Sequence, residues 1–202
     1  CTQFVAQMLD SMGQNCGVVG TLGSGVYPNL QDTGYTTPDP LSLQASLAEL
    51  RDQRVAAIAM EASSQGLHQH RLQSVEFHTA VFTNLTRDHL DYHGTMQAYA
   101  EAKRRLFEQA DLKVGVVNMD DEHAVVMLNA LPRCARSYTY SVSSRLADVY
   151  TKRINYRVDG VDLELCTPWG EGEIHSQLLG EFNVSNLLAA ITCLMTLPAA
   201  YS

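Results

Sequence analysis

An α/β architecture, a doubly wound and mostly parallel sheet flanked by helices, follows from three features of this 202-residue chain. Four short apolar runs, Cys16–Thr21, Val55–Met60, Thr79–Asn84 and Val114–Asn118, read as strands buried on both faces. Segments of helical period lie between them, the alternation that builds a parallel sheet. Past Tyr138 the period drops to two. Ile154, Tyr156 and Val158 alternate with polar residues before Asp159-Gly160, and Val161, Leu163 and Leu165 alternate after it, which predicts a hairpin with a type I′ turn. Gly172–Leu179 offers a third antiparallel strand. The expected organisation is one domain over residues 1–202 with a small antiparallel β subdomain, 136–180, inside it.

The helices follow from face and cap. Phe4, Val5, Met8, Leu9 and Met12 keep helical period and stop at Gly13, a position suited to a left-handed closing residue, while no cap precedes Phe4. The chain is therefore expected to start inside a helix and to be a piece of a longer protein, truncated at both ends. The stretch from Thr21 to Tyr35 is rich in turn residues and reads as loop. Asp39 caps a helix with Pro40 at its first position and Leu43, Leu47 and Leu50 on its face. Leu67–Val75 predicts a short helix and Ala124–Leu131 another. The last runs from Asn183 to Leu197, closed by Pro198–Ser202 with no docking segment behind it.

Composition narrows the function. Hydrophobic content of 46% with 18% charged residues excludes disorder, and no apolar run approaches the roughly 18 residues of a membrane helix. A net charge of −8 with scattered Lys and Arg argues against a nucleic-acid surface. Cys1, Cys16, Cys134, Cys166 and Cys193 form no C-x-x-C pair and read as reduced cytosolic thiols. A cytoplasmic monomer is expected.

The densest chemistry is Asp88-His89-x-Asp91-x-His93, behind one apolar strand and ahead of a helix. Carboxylates and imidazoles so placed could bind a divalent ion, or could cap a turn and pack. On the helix that follows, Met96, Tyr99, Ala100, Leu106, Phe107 and Ala110 share a face, and Lys103 falls in its middle. A lysine there snorkels, meets a carboxylate or lowers its pKa. Met60-Glu61-Ala62-Ser63-Ser64-Gln65-Gly66 closes another strand in polar groups, where switch-point ligands bind, although Ser63 and Ser64 could equally cap a helix. Asn118-Met119-Asp120-Asp121 leaves one carboxylate and Asn118 spare for a ribose or a metal-bound water once the other Asp caps. Thr36-Thr37-Pro38 is a polar loop. Gly20-Thr21-Leu22-Gly23-Ser24-Gly25 is glycine-rich, but no lysine follows as a phosphate-binding loop requires.

Together these residues resemble the central, ATP-binding domain of the Mur ligases, P-loop-type enzymes of peptidoglycan synthesis, over essentially the whole chain. The resemblance rests on Thr36-Thr37, the Ala59–Arg71 block, Val81–Gly94, Ala102-Lys103 and Gly180-x-Phe182-Asn183-Val184-Ser185-Asn186. It is strongest to the members that add the third residue of the cell-wall peptide. The resemblance implies an ATP-dependent acid–amino-acid ligase that forms an acyl phosphate, which an amine then attacks. It further implies that Thr36, Thr37, Ser63, Gln69 and Arg71 hold a UDP-muramoyl dipeptide, and that Glu61 and His89 bind Mg2+. Lys103 would be carbamylated and form part of the metal site, Asn183 and Asn186 would lie near the nucleotide, and the added residue would be a diamino acid, diaminopimelate or lysine. A phosphate-binding loop in the family stands just before the helix that begins here at Cys1, and without it this chain alone is expected to be inactive. One departure is Gln65 where the family commonly has histidine, and Gln65 cannot take a proton.

Two other functions fit the residues. A metal-dependent hydrolase would use Asp88, His89, Asp91 and His93 as ligands around an open water site. A nucleotide-binding module without catalysis would need only the fold.

Overall fold

The structure, a computed structural model, describes residues 1–198 and alternates strand and helix along most of the chain. In order come α1 (Thr2–Ser11), β1 (Cys16–Gly20), β2 (Gly23–Val26), β3 (Asn29–Gln31), α2 (Pro40–Asp52), β4 (Ala57–Met60), α3 (Ser64–His68) and β5 (Thr79–Phe82). Then follow α4 (Leu90–His93), α5 (Met96–Phe107), β6 (Val114–Asn118), α6 (Ala124–Ala130) and β7 (Arg136–Ser141). The chain finishes with β8 (Val149–Arg157), β9 (Gly160–Thr167), β10 (Gly170–Ser176) and α7 (Glu181–Met195). The expectation for Ala199–Ser202 lies outside the described residues.

One sheet has the order β10-β9-β8-β7-β6-β5, parallel from β5 to β8 and antiparallel beyond; the other has the order β3-β2-β1-β4 with β1 and β4 parallel. Helices cover both faces, as the continuous apolar runs required. Ala80 and Phe82 of β5 share a core with Leu43, Tyr99 and Phe107 from α2 and α5, whereas Val81 packs on the opposite side. There α1 and α7 supply Val5, Leu9, Val184 and Leu188. The period of two along each strand thus sends alternate side chains into two separate apolar layers.

Several elements differ from expectation for identifiable reasons. The stretch read as loop forms β2 and β3. Gly23 at φ 122° and Gly25 at φ 144° pass so close to the Gln31 and Asn29 carbonyl oxygens that an added Cβ would stand 2.7 and 2.8 Å away. With two glycines in the four residues of β2 and one apolar residue in the three of β3, neither strand carries an apolar alternation to read. The helix expected over Leu67–Val75 begins earlier, at Ser64, because the Ser63 Oγ accepts from the Gly66 amide. His70 at φ 57° then stops it. The β4 run is not sealed: Ile58 is 37% exposed. β4 is hydrogen-bonded only to β1 and β5 only to β6, so each keeps one bare edge, and both line a single cavity of about 1360 Å³ that reaches Cys1 and Thr2.

At the end of β6 no polar group is spare, contrary to the sequence reading. Asp120 accepts from the Ser141 and Ser143 hydroxyls, both at 2.5 Å, and from the Val142 amide at 2.7 Å. Asp121 takes the Leu85 amide at 2.7 Å and the His123 amide at 2.8 Å, and Asn118 donates to the Thr83 carbonyl at 2.6 Å. Strand-end carboxylates need donors, and neighbouring hydroxyls and main-chain amides supply them.

Partial burial alone would raise the Asp120 pKa, but the Ser141, Ser143 and Val142 donors outweigh it and hold the carboxyl below 3.8. A depressed folded pKa contributes stability above the unfolded value that disappears as pH falls through the folded one. Asp120→Ala should therefore lose about 1–2 kcal/mol at pH 7, since hydrogen bonds to a charged, partly screened acceptor are removed. The difference between denaturant melts of the two proteins should shrink as pH falls from 3.8 through the lower folded pKa; a difference that is independent of pH would contradict this account.

Candidate functional site

Glu61 follows β4 directly, at the carboxyl end of the sheet where open α/β folds gather ligands. Its Oε2 accepts from the Thr21 hydroxyl at 2.6 Å and the Thr21 amide at 3.1 Å, and its Oε1 from the Thr2 hydroxyl at 3.4 Å. Thr21 and Thr36 share a hydroxyl contact at 2.8 Å. The carboxylate can lie against β1 only because residue 20 is glycine: a Cβ there would stand 2.8 Å from the Glu61 Cδ. Thr37, 2% exposed, donates to the Glu61 carbonyl at 2.8 Å and accepts from the Ser63 amide at 3.0 Å. One hydroxyl therefore joins the loop before α2 to the turn between β4 and α3.

Arg71 extends this set. Its Nη1 donates to the Thr37 carbonyl at 2.9 Å, and its Nε and Nη2 donate to the Gln69 Oε1 at 2.8 and 2.5 Å. The Gln69 Nε2 in turn donates to the Tyr92 hydroxyl at 3.0 Å. A guanidinium held this way keeps charge free to meet an anion while its orientation is fixed.

The other wall carries rings. His89 precedes α4 at φ 55°, a left-handed conformation uncommon for residues with a Cβ, and its amide donates to its neighbour Asp88 at 2.8 Å. His93 lies flat on Tyr99, 5.1 Å between centroids and 11° between planes, with Nε2 2.9 Å from the Ser64 hydroxyl. The Lys103 ammonium lies 5.8 Å from the Tyr99 centroid. Burial lowers the Lys103 pKa below 10.5, opposed by the negative charge of Glu61. Burial also lowers the His93 pKa, with His68, His89 and Lys103 adding repulsion against the attraction of Asp91. The lysine on the apolar face thus takes the third course open to it, a weakened ammonium, rather than a close carboxylate partner.

Thr36, Thr37, Glu61, Ser63, Arg71, His89 and Lys103 all line the large cavity, and Gln69 joins them through Arg71. Ser63 spends its hydroxyl as a helix cap while remaining on the wall, and Gln65 is there too. Asn183 and Asn186 stand outside this lining on the first turns of α7; the Asn183 side chain donates to the Leu179 carbonyl at 2.8 Å, and the Asn186 carbonyl faces the Cys1 thiol at 3.7 Å. Asp88, His89, Asp91 and His93 do not converge. No group of three or more carboxylates, imidazoles or thiols poised for a metal occurs among the described residues, which counts against the hydrolase built on those four. His93 is turned to Ser64 and Tyr99, and Asp88 to its own neighbour's amide. Sequence reading missed Thr21, Tyr92 and Tyr99 as parts of the site. For Thr21 a signal existed, since a hydroxyl directly after an apolar strand stands at the same sheet end as Glu61.

The parallel strands with helices on both faces, whose carboxyl ends present a carboxylate, a lysine of lowered pKa and an anchored arginine around one cavity, define an α/β domain with a charged cleft at its strand ends. The family model described as Mur ligase middle domain matches residues 1–194, and the chain belongs to that family. Over 199 residues it is 49% identical to UDP-N-acetylmuramoyl-L-alanyl-D-glutamate--2,6-diaminopimelate ligase of Pseudomonas syringae pv. tomato, covering 98% of this chain and 41% of that protein. The Pseudomonas aeruginosa protein of the same name is 47% identical over 97% of this chain and 40% of its own length. A solved structure of a UDP-N-acetylmuramoyl-L-alanyl-D-glutamate--2,6-diaminopimelate ligase superposes with a TM-score of 0.89 at 42% identity, covering 95% of this chain and 39% of that one. The chain thus spans about two fifths of the length of the relatives it matches. No helix among the described residues is long and apolar enough to cross a membrane.

The direction of the Lys103 shift is directly measurable. In the purified protein carrying 13C-labelled lysine, the Lys103 side-chain resonance should titrate with a midpoint below 10.5. A midpoint at or above that value would mean that the attraction of Glu61 outweighs burial.

Proposed function

We propose that the chain is the ATP-using middle domain of a longer ligase that joins meso-diaminopimelate to UDP-N-acetylmuramoyl-L-alanyl-D-glutamate in peptidoglycan synthesis. The observation that carries this reading is the meeting of Glu61, Lys103 and His89 with Thr36, Thr37, Ser63 and Arg71 around one cavity. Anchored Arg71, with Gln69 behind it, suits the carboxylates of the dipeptide. The bare edges of β4 and β5 support an upstream strand between them, which would lead through a phosphate-binding loop into α1 beside Glu61. Asn183 and Asn186 would serve the nucleotide end. The partners are then ATP, the UDP-muramoyl dipeptide and the diamino acid, and the setting is a cytoplasmic monomer free of membrane and nucleic acid.

In the reaction a substrate carboxylate oxygen attacks the γ-phosphorus of ATP and ADP leaves. The amine of the diamino acid then attacks the acyl carbon, loses a proton and expels phosphate as the amide forms. Arg71 and the threonines keep the dipeptide oriented for both steps. Glu61 and His89 suit Mg2+, because an ion that keeps waters and takes phosphate oxygens needs few protein donors, and no further carboxylate, imidazole or thiol joins them among the described residues. Such an ion would neutralise charge on the phosphates. Lys103 fits carbamylation: its neutral amine adds CO2 and releases a proton, leaving an anion where an ammonium would repel the metal. An unperturbed lysine is neutral in only about one part in a thousand near pH 7.4, and burial raises that fraction.

The isolated 202-residue chain should form no amide above a no-enzyme control, because it lacks the loop that cradles the phosphates. In the full-length protein, Lys103→Ala should lose most activity and regain part with added short carboxylic acids, while Lys103→Arg stays inactive. Near-normal kcat in Lys103→Arg at saturating ATP and magnesium would overturn the carbamate. His89→Ala should weaken the apparent magnesium affinity and kcat together, with little change in melting temperature. A drop in stability with magnesium dependence intact would assign His89 to packing instead.

A further inference from the structure

We propose that Tyr92 and His93, neighbouring rings on α4, are positioning residues that couple the dipeptide-holding side chains to the helix carrying Lys103. This inference rests on the ligase reading above. Neither residue belongs to the set that reading assigns to substrate, nucleotide or metal.

Tyr92 fixes Gln69. The Gln69 Oε1 is taken by both Arg71 donors, so its Nε2 is the end left to point elsewhere, and the Tyr92 hydroxyl receives it at 3.0 Å. The same hydroxyl lies 3.0 Å from the His68 Nδ1. Reversing the Gln69 amide would set its N–H groups against the N–H groups of Arg71, so the phenol and the guanidinium together allow one orientation. Arg71 passes that constraint to the Thr37 carbonyl. The polar line Thr37–Arg71–Gln69 therefore ends on α4.

His93 carries the line onward. One edge of its ring meets Ser64 on α3 at 2.9 Å, and its face stacks on Tyr99 of α5. Tyr99 also meets the edge of His89 at 5.8 Å and has the Lys103 ammonium 5.8 Å from its centroid. With four residues, α4 cannot hold a helix by its own hydrogen bonds. Side chains fix its place: the phenol on α3's Gln69 side, the imidazole between Ser64 and Tyr99. A shift of this turn moves Gln69 and the Tyr99–Lys103 pair together, so the two halves of the cavity are set by one element.

The test is steady-state kinetics of the full-length ligase with melting temperatures for every variant. Tyr92→Phe keeps the ring and removes the acceptor, and it should raise KM for the UDP-muramoyl dipeptide about fivefold to tenfold, the size of one lost hydrogen bond. Its KM for ATP and its kcat should stay within about twofold. Because Tyr92 acts through Gln69, Tyr92→Phe combined with Gln69→Ala should be no worse than Gln69→Ala alone. His93→Ala should lower kcat with little change in dipeptide KM, and His93→Phe, which keeps the stack, should restore most of it. A dipeptide KM unchanged in Tyr92→Phe, effects that multiply in the double variant, or a His93→Ala protein altered only in melting temperature each overturn the coupling. Absence of ATP-dependent ligation by the unsubstituted protein overturns the ligase reading and this inference with it, whereas those variant results in a working ligase overturn this inference alone.

Discussion

The hydroxyl of Thr37 is the contact on which the geometry of the site depends. It is buried, it donates to the Glu61 carbonyl, and it accepts from the Ser63 amide, while its own carbonyl takes Arg71. A threonine offers one donor and two lone pairs, so a single side chain can join two backbone segments that share no secondary structure. Here it joins a loop, a strand end and a helix start. Gly66 completes the fit, for a Cβ at that position would stand 2.8 Å from the Thr37 Cγ2. Loss of the hydroxyl would strand a part-buried carbonyl and amide, which costs more than the bonds themselves are worth in water.

From that point the polar groups form chains rather than isolated pairs. Thr36 reaches the carboxylate of Glu61 through the Thr21 hydroxyl from one direction, and Arg71 and Gln69 run away in the other. Chains of this kind hold charge in place without cancelling it, because each donor is matched by an acceptor already fixed by the fold. Lys103 is the exception. It faces a ring and a carboxylate too distant for a close ion pair, and it is correspondingly weakened as a base.

Much of the fold was legible because long-range burial writes itself into short-range pattern. Val114–Asn118 carries no polar side chain before Asn118 and forms a strand buried at all five positions, and Asp39-Pro40 announced α2 with the cap that the structure contains. The central residues of the site were legible as types: a carboxylate after a strand, a lysine on an apolar stripe. What stayed hidden was partnership. Nothing in the spacing of Asp88, His89, Asp91 and His93 tells that the left-handed turn at His89 sends His93 toward Ser64, twenty-nine residues earlier. One carboxylate of the Asp120-Asp121 pair looked spare because the donors to the two come from Ser141, Val142, Ser143 and Leu85, segments brought near only by the sheet. The short strands β2, half glycine, and β3, with Leu30 its one apolar residue, had no side-chain pattern to betray them.

The two bare strand edges have a bearing on how the chain behaves in solution. β4 and β5 each expose a row of amides and carbonyls along a side that a doubly wound sheet keeps paired, and Ile58 stands open beside them. Main chain in that state bonds without regard to sequence, so any extended segment of suitable length competes for it. In a crowded sample the most abundant such segment belongs to another copy of the same polypeptide, and self-association by exchange of strands is the physical hazard that comes with an unclosed sheet.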